Sequence, residues 1–392
     1  MSLIQVPEIT LRVMSLNMQY AAGQEVGEKN FLKHIPLKEQ EHNLDAIVNV
    51  IEEANPDIVL LQEADHGSSR TDFVNQPEYI VKQLAQKHQS LQYHPPEVSS
   101  DLKFDERKSM RFYKAARYFY HGKRAKFLFD KLGIQTDMLP PEPVVLDFGK
   151  AILSKYPLRE KKHDFFIPPY WNPWMNFNII RQKDERKSLL VCRVNYHQEI
   201  EEKVPLFVYN IHLENKNSEN RKSQSKILYR RLDEHFEEHQ DEEADEQKRR
   251  QSEFVYNKLS KRKDVHKILA GDFNAEPLEA EYDLESGTKD ESLERLLRHP
   301  QMQFFPGIYP QQNKKPAPHF ATYPSNQPSQ ILDTILISKY LEFTNYRVDR
   351  IRVSDHLAVI ADIKINADLV QENLLKEIVN PFVEPTEDQE EP

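Results

Sequence analysis

Six times along this chain a short apolar run abuts a residue able to carry chemistry, and this recurrence limits the fold more than any other feature. Leu11 to Met18 contains Asn17, and Ile58 to Leu61 leads into Gln62 and Glu63. Leu206 to Ile211 leads into His212, and Ile268 to Ala270 into Asp272 and Asn274. Ile331 to Ile337 embeds Asp333, and Leu357 to Ile365 is preceded by Ser354, Asp355 and His356. Runs this short and apolar read as strands buried on both faces. Between them lie stretches of helical spacing. Lys38 to Ala54 repeats apolar residues at Leu44, Ile47, Val48, Val50 and Ile51, and it stops at Asn55-Pro56 because the residue before proline resists helical backbone. Asp290 to Arg298 predicts a second, shorter helix. Alternating strands and helices, with no P-loop and no GxGxxG, predict a layered α/β protein that is not a nucleotide-cradling fold.

The stretch KILAGDFNAEP shows what such a junction could do. The run stops at Gly271, and an acid and an amide follow two residues apart. On an extended backbone that spacing points Asp272 and Asn274 the same way. A carboxylate that takes a proton from water, beside an amide that donates to an oxyanion, suits hydrolysis of a phosphate ester. The same residues also suit a plain strand-to-turn corner. Glu63 is more suggestive, because an acid at the end of a buried strand is costly unless it is solvated, paired or bound to a metal. His212 and Asn17 read alone as either catalytic or structural strand-end residues.

Charge and length exclude some classes. The net charge of −10 argues against coating nucleic acid by bulk charge. The single cysteine, Cys192, rules out an intrachain disulfide and a cysteine-based metal site. No apolar run is long enough to span a membrane, and MSLIQVPEIT lacks the pattern of a secretory signal, so the expected location is the cytoplasm, with signal-independent export as the alternative. Residues 101–131 hold ten basic and four acidic residues interleaved with aromatics. Three readings are open there: a grip on nucleic acid, contact with an anionic membrane surface, and, favoured, an amphipathic helical insertion. Lys150 reads as a surface lysine or a substrate contact. Tyr170 to Asn178 and the basic stretch that follows, with Arg181, read as a substrate-lining loop or as tryptophan packing. Glu214 to Asp264 predicts two helical arms around an acidic insertion. Asp368 to Val379 predicts a closing helix, followed by an acidic disordered tail.

Taken together, SLNM, LLQEAD, YNIHLE, LAGDFNAEP, ILDTILIS and SDHLAV resemble the endonuclease/exonuclease/phosphatase superfamily, in that family's order and from residue 12 to about 363. GDFN with SDH is the specific pair. The resemblance implies a DNase I-like α/β/β/α four-layer sandwich spanning 1–366, with helical insertions at about 100–135 and 215–262 and a C-terminal helix and tail over 367–392. It implies a divalent metal, Mg²⁺ with Mn²⁺ as the alternative, on Glu63 with Asn17 and Asp355 near the ion. Asp272 would orient or deprotonate water and Asn274 would hold a nonbridging oxygen. His356, its imidazole held by Asp333, would contact phosphate or act as base, and His212 would stabilise phosphate or protonate the leaving group. Asn17, Lys150 and Arg181 would contact substrate. QILDTILIS lacks the tryptophan and Asp-Arg pair of inositol polyphosphate 5-phosphatases, which argues against that branch. The leading expectation is a phosphodiesterase acting on nucleic acid. The alternatives are a sphingomyelinase-like lipid or small-molecule phosphoesterase and a non-catalytic binding protein on the same scaffold.

Overall fold

The computed structural model describes residues 8–24, 34–90, 110–120, 144–165, 188–196, 205–215, 217–233, 266–276, 292–297, 299–308 and 317–365. The expected apolar runs are strands. β1 spans Ile9–Asn17, β2 Ile58–Asp65, β3 Met110–Tyr120, β4 Val144–Ser154, β5 Leu158–Phe165 and β6 Ser188–Val194. β7 spans Leu206–His212, β8 His266–Asp272, β9 Met302–Phe304, β10 Asp333–Ser338, β11 Leu341–Val348 and β12 Val359–Ile365. Helix α1 covers Leu37–Ala54, α2 Gln76–Ser90, α3 Ser218–Asp233 and α4 Ser292–Leu297.

The strands form two six-stranded sheets, ordered β11-β12-β1-β2-β4-β3 and β5-β6-β7-β8-β10-β9. Side-chain alternation divides the apolar residues into three layers. Leu11, Val13, Ile58, Leu60, Val208, Ile268, Ile335 and Val359 fill the space between the sheets. Met14, Leu16, Val59 and Leu61 face outward onto Leu44, Ile47, Val48 and Ile51 of α1 and Ile80, Val81 and Leu84 of α2. Tyr209, Ile211 and Leu269 face Leu228 and Leu232 of α3 and Leu293 and Leu296 of α4. This is the α/β/β/α sandwich that the resemblance implies, within the layered α/β class that the strand pattern predicts. α1 ends as its sequence predicts: Asn55 takes the left-handed conformation (φ 48°) that closes a helix, and Pro56 follows.

Three expectations change. Residues 110–120 lie in an edge strand, not in a helical insertion. They pair antiparallel with β4 from Met110↔Leu153 to Tyr120↔Val144, and their run of aromatics carries the β preference that the helical reading underweighted. Asp333 opens β10 instead of lying inside it. Asn274 is not extended but left-handed (φ 50°), so the period-two argument does not govern its direction. The second helical arm near 260, Arg181 and the segment 366–392 lie outside the described residues. No helix among the described residues is long and apolar enough to cross a membrane.

Candidate active site

Strand register assembles one half of the site. β7 and β8 run parallel with His212 opposite Asp272, and β8 and β10 run antiparallel with Asp272 opposite Asp333. One rung across the second sheet therefore carries a histidine and two acids. Gly271 lets β8 come this close. Its φ of +148° is open to glycine, and a Cβ there would stand 2.0 Å from the Ile211 carbonyl oxygen.

The facing sheet answers with Asn17 at the end of β1 and Glu63 in β2. The Asn17 amide donates to Glu63 Oε1 at 3.1 Å and to Asp272 Oδ2 at 3.0 Å, so it bridges the two sheets. His212 Nε2 lies 3.6 Å from Asp272 Oδ2 and 3.8 Å from Glu63 Oε1. The loop before β12 supplies the remaining groups. His356 Nδ1 donates to Asp333 Oδ2 at 2.7 Å, since a carboxylate can only accept, and this turns Nε2 toward Asp272 at 3.9 Å. Tyr323 lies against the imidazole, ring centres 4.8 Å apart. Ser354 donates to the Asn17 carbonyl at 2.8 Å and lies 3.2 Å from Asp355 Oδ1, which ties Asp355 to the same corner.

The Endonuclease/Exonuclease/phosphatase family profile matches residues 14–356, from within β1 to His356. The chain belongs to the endonuclease/exonuclease/phosphatase family. Members of this family are phosphoester hydrolases and generally use divalent metals. Comparison with curated proteins gives no match. Among solved structures, an endonuclease/exonuclease/phosphatase from Beutenbergia cavernae aligns with a TM-score of 0.51 at 15% identity, covering 91% of this chain and 72% of that one. The human Nocturnin catalytic domain, solved with a bound sulfate anion, aligns with a TM-score of 0.48 at 15% identity, over 90% of this chain and 94% of that one.

On this family scaffold two predicted residues take places that spacing did not foretell. Asn274 donates its backbone N–H to Asp272 Oδ1 at 2.8 Å and its side-chain amide to the Leu213 carbonyl at 2.9 Å. It therefore fixes the Asp272 carboxylate and the residue that follows β7 together. Lys150 is buried on β4 in register opposite Gln62 and Glu63, where two residues of β2 face one of β4. Among the described residues, one group of acids and histidines has ligand atoms close enough together to share a metal: Asp272, Asp333 and His356, within 4.8 Å of one another. That set differs from the Glu63, Asn17 and Asp355 expected from the resemblance.

Charge shapes the site. Burial opposes protonation of His356, but the surrounding carboxylates of Asp333, Asp272 and Asp355 outweigh it and hold its pKa well above the ordinary imidazole value. Burial raises the Asp355 carboxyl, partly offset by His356 and Ser354.

The sequence reading passed over the supports. Gln19, Tyr20 and Ala21 follow Asn17 in three successive left-handed conformations, with φ of 44°, 44° and 50°. Asn17 Oδ1 accepts from Gln19 N–H at 3.1 Å, and Gln76 and Asn43 bind the Tyr20 and Ala21 carbonyls. Arg70, fully buried, forks onto Asp65 at 2.7 and 2.8 Å and lies 3.6 Å over the Tyr20 ring. Asp65 and Arg70 carry a sequence signal, two opposite charges five residues apart beside an apolar strand, but their burial was not legible. Asn210 carries a signal too, a polar residue in the middle of the apolar strand LFVYNIH.

Proposed function

We propose that the chain is a metal-dependent phosphodiesterase acting on nucleic acid. The observation that carries this reading is the meeting of the His212–Asp272–Asp333 rung with Asn17 and Glu63 across the mouth of the sandwich. Together with His356, which Asp333 orients, it sets a proton acceptor, an oriented imidazole and carboxylate oxygens side by side.

The donor set fits a divalent cation of the Mg²⁺ type. Glu63 and Asp355 offer carboxylate oxygens, and burial already works against the charge on Asp355. Glu63 would be the main ligand, with Asp355 beside it; Asn17, expected as a ligand, instead turns its amide N–H groups to Glu63 and Asp272 and its Oδ1 to Gln19 N–H, and so would orient Glu63. The alternative set of Asp272, Asp333 and His356 is less suited, because the Asp333–His356 pair is already engaged at 2.7 Å. When bound, the ion supplies polarisation of the phosphoryl oxygen and neutralisation of the leaving oxygen.

This chain's residues do the rest. Asp272, held by Asn17 and by the Asn274 N–H, orients the attacking water. The proton of that water is taken by Asp272, while the His356 imidazolium, fixed by Asp333 and 3.9 Å from Asp272 Oδ2, would contact the phosphate. His212 stands between Glu63 and Asp272 and would hold the phosphate or return a proton to the leaving oxygen. Lys150, opposite the bulged Glu63, would add a positive contact to the phosphate. Asn17 and Arg181 complete the proposed substrate contacts, and membrane-surface contact through 101–131 remains the feature that a lipid substrate would use.

The test is a hydrolysis panel of single- and double-stranded DNA, RNA, sphingomyelin, a phosphoinositide and bis-p-nitrophenyl phosphate, each with Mg²⁺, Mn²⁺ or EDTA, and with Asp272→Ala as control. Metal-dependent cleavage of nucleic acid that is absent in the variant is the expected result. Faster turnover of sphingomyelin moves the assignment to the lipid branch. Neither turnover nor metal binding leaves a binding protein on this scaffold.

A further inference from the structure

Glu63 reaches the site only because β2 breaks its alternation. Ile58 and Leu60 face the inter-sheet core, while Val59 and Leu61 face α1 and α2. Gln62 points inward to Asn210 on the opposite sheet. Strict alternation would then send Glu63 outward, beneath the helices. Instead the β2–β4 register slips between Leu61↔Ala151 and Ala64↔Gly149, and Glu63 takes a left-handed φ of 53°. Ala64 returns to the outer face. A bulge re-aims a side chain in this way and leaves ladder groups unpaired.

We infer that Asn210 is a positioning residue that holds this bulge and so aims Glu63 into the site. Asn210 stands on β7 two residues before His212 and is fully buried. Its amide donates to the Leu61 carbonyl and to the Ala151 carbonyl, both at 2.9 Å. These are the last regularly paired residues before the slip. Its Oδ1 accepts from the Gln62 amide at 2.8 Å, and Gln62 also reaches Ser15 Oγ at 3.3 Å. One side chain of the second sheet thus caps both strands of the bulge in the first. A buried carbonyl left without a donor would regain one most readily by closing the slip, which turns Glu63 away.

The inference rests on the proposed metal site at Glu63, and Mn²⁺ affinity read from the EPR signal of the free ion tests both without any turnover. Glu63→Gln marks the loss of the ligand itself. Val208→Ala, on the same face of β7 and fully buried, is the control for stability loss alone. Asn210→Ser is expected to weaken Mn²⁺ binding about tenfold, the usual scale for a group supporting a metal ligand, while Val208→Ala binds as the wild type does. Wild-type affinity in Asn210→Ser, with affinity lost in Glu63→Gln, overturns the inference and keeps the metal site. Wild-type affinity in Glu63→Gln removes the metal site and the inference together. Should Asn210→Ser not fold, Asn210→Gln, which keeps the amide but overreaches by one methylene, is measured the same way, and unchanged affinity there overturns the inference too.

Discussion

The two sheets bring their residues to the site by opposite means. The second sheet uses regular pairing at the site: β7, β8 and β10 pair in unbroken register, so His212, Asp272 and Asp333 stand on one rung, and among these three strands' described residues Gly271 alone takes a positive φ. The first sheet uses irregular backbone: a left-handed turn after Asn17 and a bulge at Glu63. Regular pairing places side chains that must hold a fixed mutual distance, as a proton relay does. Irregular backbone turns a side chain away from strand alternation, as it turns Glu63 toward Asn17 and His212, and it needs buried supports. Asn210, Gln76, Asn43 and the Arg70–Asp65 pair are those supports.

The largest expected effect tests the rung. Asp272→Asn keeps the shape of the side chain and removes the proton acceptor. Hydrolysis of bis-p-nitrophenyl phosphate should fall by about 10²–10⁴-fold with the melting temperature nearly unchanged. A loss of stability in place of activity would mean that the rung is structural.

Next comes the support of the irregular side. Arg70→Met leaves Asp65 buried without its partner and should cost about 3–5 kcal/mol in urea unfolding. The double variant Asp65→Leu with Arg70→Met should cost less, because the uncompensated charge is gone. Equal losses would show that the pair acts by packing under Tyr20 and not by charge.

Gly271→Ala returns to the regular side. The added Cβ must push β7 and β8 apart at Ile211, with an expected loss of about 3 kcal/mol and a lower rate, since His212 and Asp272 are adjacent in register. A lower rate at unchanged stability would mean that the rung adjusts without strain.

The smallest effect separates the far end of β8 from the site. His266 is fully buried, and among the described residues neither of its ring nitrogens has a hydrogen-bond partner; burial lowers its pKa to about 4. Above pH 6.5 it is neutral in both folded and unfolded chains. As pH falls from 6.5 toward 4 only the unfolded chain gains the proton, so stability is lost across that window, about 2 kcal/mol by pH 5. His266→Phe should flatten the acid side of the stability profile by that amount. An unchanged slope would place the acid sensitivity in the carboxylates of the mouth.

Much of this molecule is legible in its sequence. The apolar runs are strands, α1 begins and ends within a residue of its periodic pattern, and Asn17, Glu63, His212, Asp272, Asp333 and His356 do come together. These features are local: strand and helix periods are written in neighbouring residues, and polar residues at strand ends share an edge of the sheet. The stretch 110–120 forms a strand because its aromatics prefer extended backbone and the edge of β4 offers it a partner, which its alternation of charge with aromatics does not reveal. Asn274 escapes the period of two because its backbone is left-handed, which spacing does not reveal. The direction of Glu63 could not be read at all. Alternation along β2 sends it outward, and only the slipped pairing with β4, capped by Asn210 from the other sheet, turns it in. The sequence determined which residues could do the chemistry and in what order they come. Tertiary structure decided where Glu63 points, because a bulge is a property of two paired strands and the amide that caps them, and those lie far apart along the chain.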